Sequence, residues 1–158
     1  MDAEAKLREL GHELPVLGKP LFSYVPFRRA GDTVYISGQV PRLADGSLIT
    51  GQVGTVLDLE AARKAALLCG LHILAVARAA AGSLEKVEVL KVFGMVNAAP
   101  GYGDQPKVID ACSNLFVDVL GERGRHARSA VGMGSLPSDV PVEIEAVIRI
   151  LDLSLIHI

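Results

Sequence analysis

Residues 125–150, RHARSAVGMGSLPSDVPVEIEAVIRI, constrain the fold more than any other stretch, because two β-prone segments flank a block of turn residues. Ala130, Met133 and Leu136 fall among small and apolar residues. Leu136-Pro137-Ser138-Asp139 carries turn chemistry, and Val142, Ile144, Val147 and Ile150 resume a β-rich run. The pattern predicts a hairpin. Arg128 enters its first strand and Glu143 opens its second, so antiparallel pairing across the turn would bring guanidinium and carboxylate toward one end of a sheet. A planar guanidinium grips a carboxylate at two points, and a nearby carboxylate can hold or deprotonate a water.

The rest of the chain reads as scaffold for that pair. Prolines favour extended backbone over residues 14–26, residues 27–32 read as strand end and turn, and residues 33–40 form a strand rich in β-branched and aromatic side chains. Ser37-Gly38 near the end of that strand would let a ligand approach bare backbone. Asp45-Gly46 signals a turn, with a short return strand at residues 47–49. Asp58 caps a helix reaching Ala81, stopped by Gly82, whose buried stripe is Leu59, Ala62, Ala66, Ile73 and Ala77. A strand follows over residues 85–96 and a loop over 97–103. A second helix runs from Asp104 to Gly121, accepting Pro106 in its first turn and burying Val108, Cys112, Leu115 and Val119. Strands, helix, strand, helix and strands make an α+β domain with two helices on one face of a mixed sheet.

Composition narrows the function. At 158 residues the chain suits one domain, placed at residues 14–152 behind a charged, helix-permissive extension at 1–13 that lacks a signal peptide's apolar core. Residues 153–158, LSLIHI, read as the translation of a sequencing adapter, a non-native tail. With 4% aromatic residues, no Trp and a formal charge of -2, neither stacking platforms for RNA nor attraction to nucleic acid or an anionic membrane is expected. The apolar run 65–77 falls short of the ~20 residues of a membrane span and reads as a core helix. Cys69 and Cys112 sit in helices as buried free thiols, suiting a reducing cytoplasm. His12 and His126 lack partners at metal-ligand spacing, so no metal is expected, and His72 reads as a satisfied core histidine. The glycines match no phosphate-cradling pattern.

Two separated blocks carry a resemblance. Arg128-Ser129, Leu136-Pro137 and Val142-Glu143-Ile144 stand in the order and spacing of the signature of the reactive-intermediate deaminases (RidA, or YjgF-like), which hydrolyse enamines and imines. Tyr35-Ile36-Ser37-Gly38-Gln39-Val40-Pro41 resembles the same family's first core strand. The resemblance spans roughly residues 14–150, and within the family the chain is similar to a longer branch carrying GRHARSAVG. It implies a chorismate-mutase-like fold, a homotrimer with clefts between subunits, and no cofactor.

The resemblance also implies roles. Arg128 anchors a substrate carboxylate, Glu143 holds the attacking water, Tyr24 lines the pocket, and Ser37 and Gly38 bring backbone to the ligand. Without the family motif, Arg128 reads equally as a surface member of a cluster with Arg123, Arg125 and His126. Glu145 shares a strand face with Glu143, and the register to Arg128 favours Glu143. Asp110 falls where founding members carry a ligand-contacting asparagine. An ionised aspartate there would repel a substrate carboxylate, so Asp110 binds an amino group or pairs with a helix neighbour. Ala130 stands where many founding members have a cysteine, which removes any nucleophilic thiol there, so covalent catalysis is not expected. The implied reaction is hydrolysis of a 2-imino acid to a 2-keto acid and ammonia. A non-enzymatic ligand-binding or chaperone-like trimer would keep Arg128 without needing Glu143. An endoribonuclease would rest on Arg123, Arg125 and Arg128 alone.

Overall fold

The computed structural model describes residues 2–19 and 21–153, so the expected tail lies, from Ser154 onward, outside the described residues. In chain order the elements are helix α1 (Ala3–Glu9), strands β1 (Phe27–Ala30) and β2 (Thr33–Gln39), helix α2 (Leu59–Ala81), strand β3 (Val87–Asn97), helix α3 (Gln105–Leu120), and strands β4 (Ala127–Met133) and β5 (Val142–Ile150). The strands form one mixed sheet in the order β1-β2-β5-β3-β4. Only β3 and β4 run parallel, joined by α3; the other neighbours are antiparallel.

Local chemistry sets the helix ends where the pattern predicts them. The Asp58 carboxylate accepts from the Ala61 amide at 2.9 Å, and Gly82, at φ 85°, closes α2 in the left-handed conformation that glycine adopts without a Cβ clash. By length and composition alone α2 could cross a membrane. In this fold it is a core helix, with Ala62, Ala66, Cys69, Ile73 and Ala77 in the same buried cluster as the sheet. Helix α3 buries Val108, Ile109, Cys112, Leu115, Phe116, Val119 and Leu120. Ahead of the sheet, α1 contributes Leu7 to that core, and the Ala3 amide donates to Glu85 at 2.6 Å.

One close approach fixes α3 against the sheet. A Cβ at Gly94 of β3 would stand 2.6 Å from Ile109 Cδ1. We expect Gly94→Ala to lower the unfolding free energy by about 1–3 kcal/mol, the usual cost of overpacking, in a urea titration. An unchanged midpoint would mean that α3 rides more loosely than the contact implies.

The hairpin expected across Leu136-Pro137 does not form. Strand β5 pairs with β2 and β3, while β4 pairs with the far side of β3, so β3 lies between the two strands of the supposed hairpin. Residues 134–141 instead arch over the end of β3. Asn97, the last residue of β3, donates through Nδ2 to Asp139 Oδ1 at 3.0 Å and to the Val140 carbonyl at 3.2 Å, and its amide donates to the Pro141 carbonyl. Burial explains the preference for this arrangement. Strand β5 buries Val142, Ile144, Ala146 and Ile148 and gains a centre position, whereas β4, with no residue fully buried, is suited to the edge.

This topology overturns the register between Arg128 and Glu143. Arg128 is level with Val92 and, across β3, with Ala146; Glu143 is level with Met95 and Val131. Val92 and Ala146 are buried under the helices, while Glu143 alternates with buried Val142 and Ile144. Because successive strand residues face opposite ways, Arg128 lies on the helix-covered face and Glu143 on the open one.

Candidate functional site

The first half of the site is built around a β-bulge. Between the Ile36–Ala146 and Gln39–Ile144 pairs the register of β2 slips, leaving Ser37 and Gly38 opposite a single residue, Glu145. The bulge falls on the Ser37-Gly38 dipeptide singled out from the sequence. There the Glu143 side chain lies over Gly38 so closely that a Cβ at position 38 would collide with its carboxylate. Ser37 is committed elsewhere: its hydroxyl donates to the Val25 carbonyl at 2.6 Å and its amide to the Pro26 carbonyl at 3.0 Å. Those bonds tether the segment carrying Tyr24, whose side chain is exposed.

Glu143 is half-buried, and among the described residues no cation or hydrogen-bond donor pairs with it. Burial, reinforced by the neighbouring Glu145 charge, raises its pKa above the ordinary glutamate value. A carboxylate so placed gains proton affinity without losing access to water, which suits a general base.

The second half lies across the sheet, between α3 and β4. Arg128 Nη1 donates to Asp110 Oδ1 at 2.6 Å and to Ser113 Oγ at 3.2 Å; Nη2 reaches the Pro106 carbonyl at 3.4 Å. Asp110 and Ser113 share a helix face at i and i+3. Asp110 therefore pairs with Arg128 itself, across to β4 rather than with a residue of its own helix. Behind Ser113 stands His126. Its Nδ1 contacts the Gly124 carbonyl at 2.7 Å, and since a carbonyl only accepts, Nδ1 carries the proton. Nε2 then accepts from Ser113 Oγ at 2.8 Å, leaving the serine oxygen free to accept from Arg128. The chain Arg128, Ser113, His126, Gly124 is thus oriented end to end.

Burial, aided by the Arg128 charge, lowers the His126 pKa and keeps the ring neutral. Since the unfolded chain takes up that proton more readily, stability is full above about 6.5, the unfolded value, and is lost as pH falls from there through the depressed folded value. Urea midpoints at pH 7.5 and 5.5 should separate for the native chain and converge in His126→Gln. Equal separation in both would assign the slope to other groups.

The remaining sequence candidates have structural employment. His72 Nε2 donates to the Arg42 carbonyl at 2.9 Å, and Cys69 and Cys112 are buried free thiols whose pKa values burial pushes up. Of the basic cluster, Arg123 is drawn away: it donates to the carbonyls of Leu84 at 2.8 Å and Val87 at 2.6 Å, pinning the turn before β3. Ser113 and His126 as supports of Arg128 were missed as a pair. The only sequence signal for Ser113 was its i+3 spacing from Asp110.

The fold agrees with what the chain is similar to. The family described as "YjgF/chorismate_mutase-like, putative endoribonuclease" matches residues 4–142. The protein Atu1372 of Agrobacterium tumefaciens superposes with a TM-score of 0.86 at 45% identity, over 94% of this chain and 93% of that one. Protein TCP17 of Trypanosoma cruzi is 36% identical over 148 residues, 92% of each chain. A 2-iminobutanoate/2-iminopropanoate deaminase of Dermatophagoides farinae is 26% identical over 137 residues, 86% of this chain and 92% of that protein. The chain belongs to the YjgF/RidA family, and its five-stranded mixed sheet carries the family's chorismate-mutase-like fold.

Proposed function

We propose that this protein hydrolyses enamines and imines derived from 2-amino acids, releasing a 2-keto acid and ammonia, in a cytoplasmic homotrimer. The observation that carries the reading is Glu143, an uncompensated, half-buried carboxylate seated on the bare backbone of Gly38. Family membership and the mite deaminase support it. Glu143 takes a proton from water as the oxygen adds to the imine carbon and the C=N π electrons move to nitrogen. Returned to that nitrogen, the proton completes a carbinolamine; Glu143 then passes the hydroxyl proton to the same nitrogen as the C–N bond breaks, ammonia leaves and the carbonyl forms. An imine is already electrophilic, so the reading needs neither cofactor nor metal. Arg128 grips the substrate carboxylate, Asp110 orients the guanidinium and lies beside the gripped ligand, and Tyr24 closes the pocket near the Ser37-Gly38 bulge.

The two halves stand on opposite faces of one sheet, which argues that a neighbouring copy brings Arg128 to another chain's Glu143. The open face supports this: Tyr35 is 55% exposed there, and Phe93, Met95, Val131 and Val147 are only partly covered. Sedimentation equilibrium should return three times the 16.7 kDa chain mass. A concentration-independent monomer would remove the shared cleft from the proposal. The test of activity is ammonia release from an imine generated in situ by an amino-acid oxidase, measured above spontaneous hydrolysis. No acceleration with any carboxylate imine would leave the ligand-binding trimer as the better reading. Against RNA cleavage, Arg123 is committed to backbone carbonyls, which leaves too few cations to follow a phosphate chain.

A further inference from the structure

A cavity of about 240 Å³ opens beside Arg128, lined by Ser113, Asn114, Val117, Arg125, His126 and Arg128. Its lining holds two guanidinium groups and no carboxylate. His126 adds no charge, because its Nδ1 proton is given to Gly124 and its Nε2 accepts from Ser113. Val117 is the one aliphatic residue in that lining.

The two arginines differ in how firmly they are held. Arg128 is 22% exposed and braced by Asp110 and Ser113, as befits a group that must keep one orientation. Arg125 is 64% exposed, and its one ion pair among the described residues, Nε to Glu122 Oε1 at 3.0 Å, joins a carboxylate that is 88% exposed. Such surface pairs contribute little and exchange readily with solvent or ligand. Arg125 can therefore turn to a second anion in the cavity while Arg128 keeps the first. The volume is large enough for a small metabolite that reaches both arginines.

We propose that the substrate is doubly anionic: a short 2-imino dicarboxylate, with its 1-carboxylate on Arg128 and its distal carboxylate on Arg125, the Asn114 amide standing beside the second group. This deepens the imine-deaminase reading and rests on it. Hydrolysis consumes one water per imine and releases ammonia and the 2-keto dicarboxylate, with no further reactant.

The test compares 2-oxoglutarate with 2-oxobutanoate as product probes by titration calorimetry, in the native protein, Arg125→Gln and Arg125→Lys. The native protein should favour 2-oxoglutarate by roughly tenfold or more, the worth of one hydrogen-bonded charge contact. In Arg125→Gln that ratio should fall to near one, and Arg125→Lys should restore part of it. Equal binding of the two keto acids by the native protein, or a preference that survives in Arg125→Gln, overturns the proposal even where imine turnover is present. An Arg125-dependent preference without turnover of any imine supports the two-anion cavity and removes only the deaminase reading.

Discussion

Replacing Arg128 with alanine is expected to weaken keto-acid binding by about 2–5 kcal/mol, or roughly thirtyfold to several-thousandfold, and lysine should not restore it. The guanidinium is planar and gives two edges to acceptors. Asp110 takes one Nη1 proton at 2.6 Å, while the 3.4 Å contact of Nη2 with the Pro106 carbonyl is long enough to yield to a ligand carboxylate. An ammonium is a single charge on a flexible stem and would collapse onto Asp110 alone. Titration of 2-oxobutanoate into native protein, Arg128→Ala and Arg128→Lys decides the matter. Unchanged binding in both variants would sink the carboxylate grip. Because Arg128→Ala also strands Asp110, the double variant Arg128→Ala/Asp110→Ala controls for simple repulsion. Recovery in that variant would trace the loss to the bare aspartate.

Glu143→Gln should separate chemistry from binding. The amide keeps the size of the side chain over Gly38 but cannot take a proton from water, and loss of a general base costs about a hundredfold to ten-thousandfold. Keto-acid affinity, carried by Arg128, should change far less. Burial raises the Glu143 pKa, so the folded state is penalised as pH climbs from 4.5, the unfolded value, through the raised folded value. At neutral pH the glutamine variant should therefore unfold at a midpoint no lower than the native protein's while its turnover collapses. Keto-acid release from an oxidase-generated imine, corrected for spontaneous hydrolysis, measures the first effect and a urea titration the second. Full acceleration in Glu143→Gln together with its loss in Glu145→Gln would move the role to the neighbouring carboxylate.

Legibility from sequence followed the range of the interactions. Asp58 and Gly82 bound α2 because capping is a matter of three or four residues, and the α3 stripe from Val108 to Leu120 follows from the helical period alone. Ser37-Gly38 was legible as a dipeptide that packs little side chain at the end of an apolar strand, though not as a bulge. In each case the deciding contact lies within one turn or one strand.

The chain by itself determined that there would be an α+β domain and that two helices would cover one sheet face. It did not determine which strands pair. Residues 134–141 serve equally as a hairpin loop or as an arch, and strand periodicity is silent about partners. The choice came from Asn97 at the far end of β3, whose amide seizes Asp139 and Val140, and from the competition of β5 for the centre of the sheet. That choice set Arg128 and Glu143 on opposite faces. Burial and hydrogen bonding summed over the whole sheet are properties of the assembled core, and no local stretch of sequence contains them.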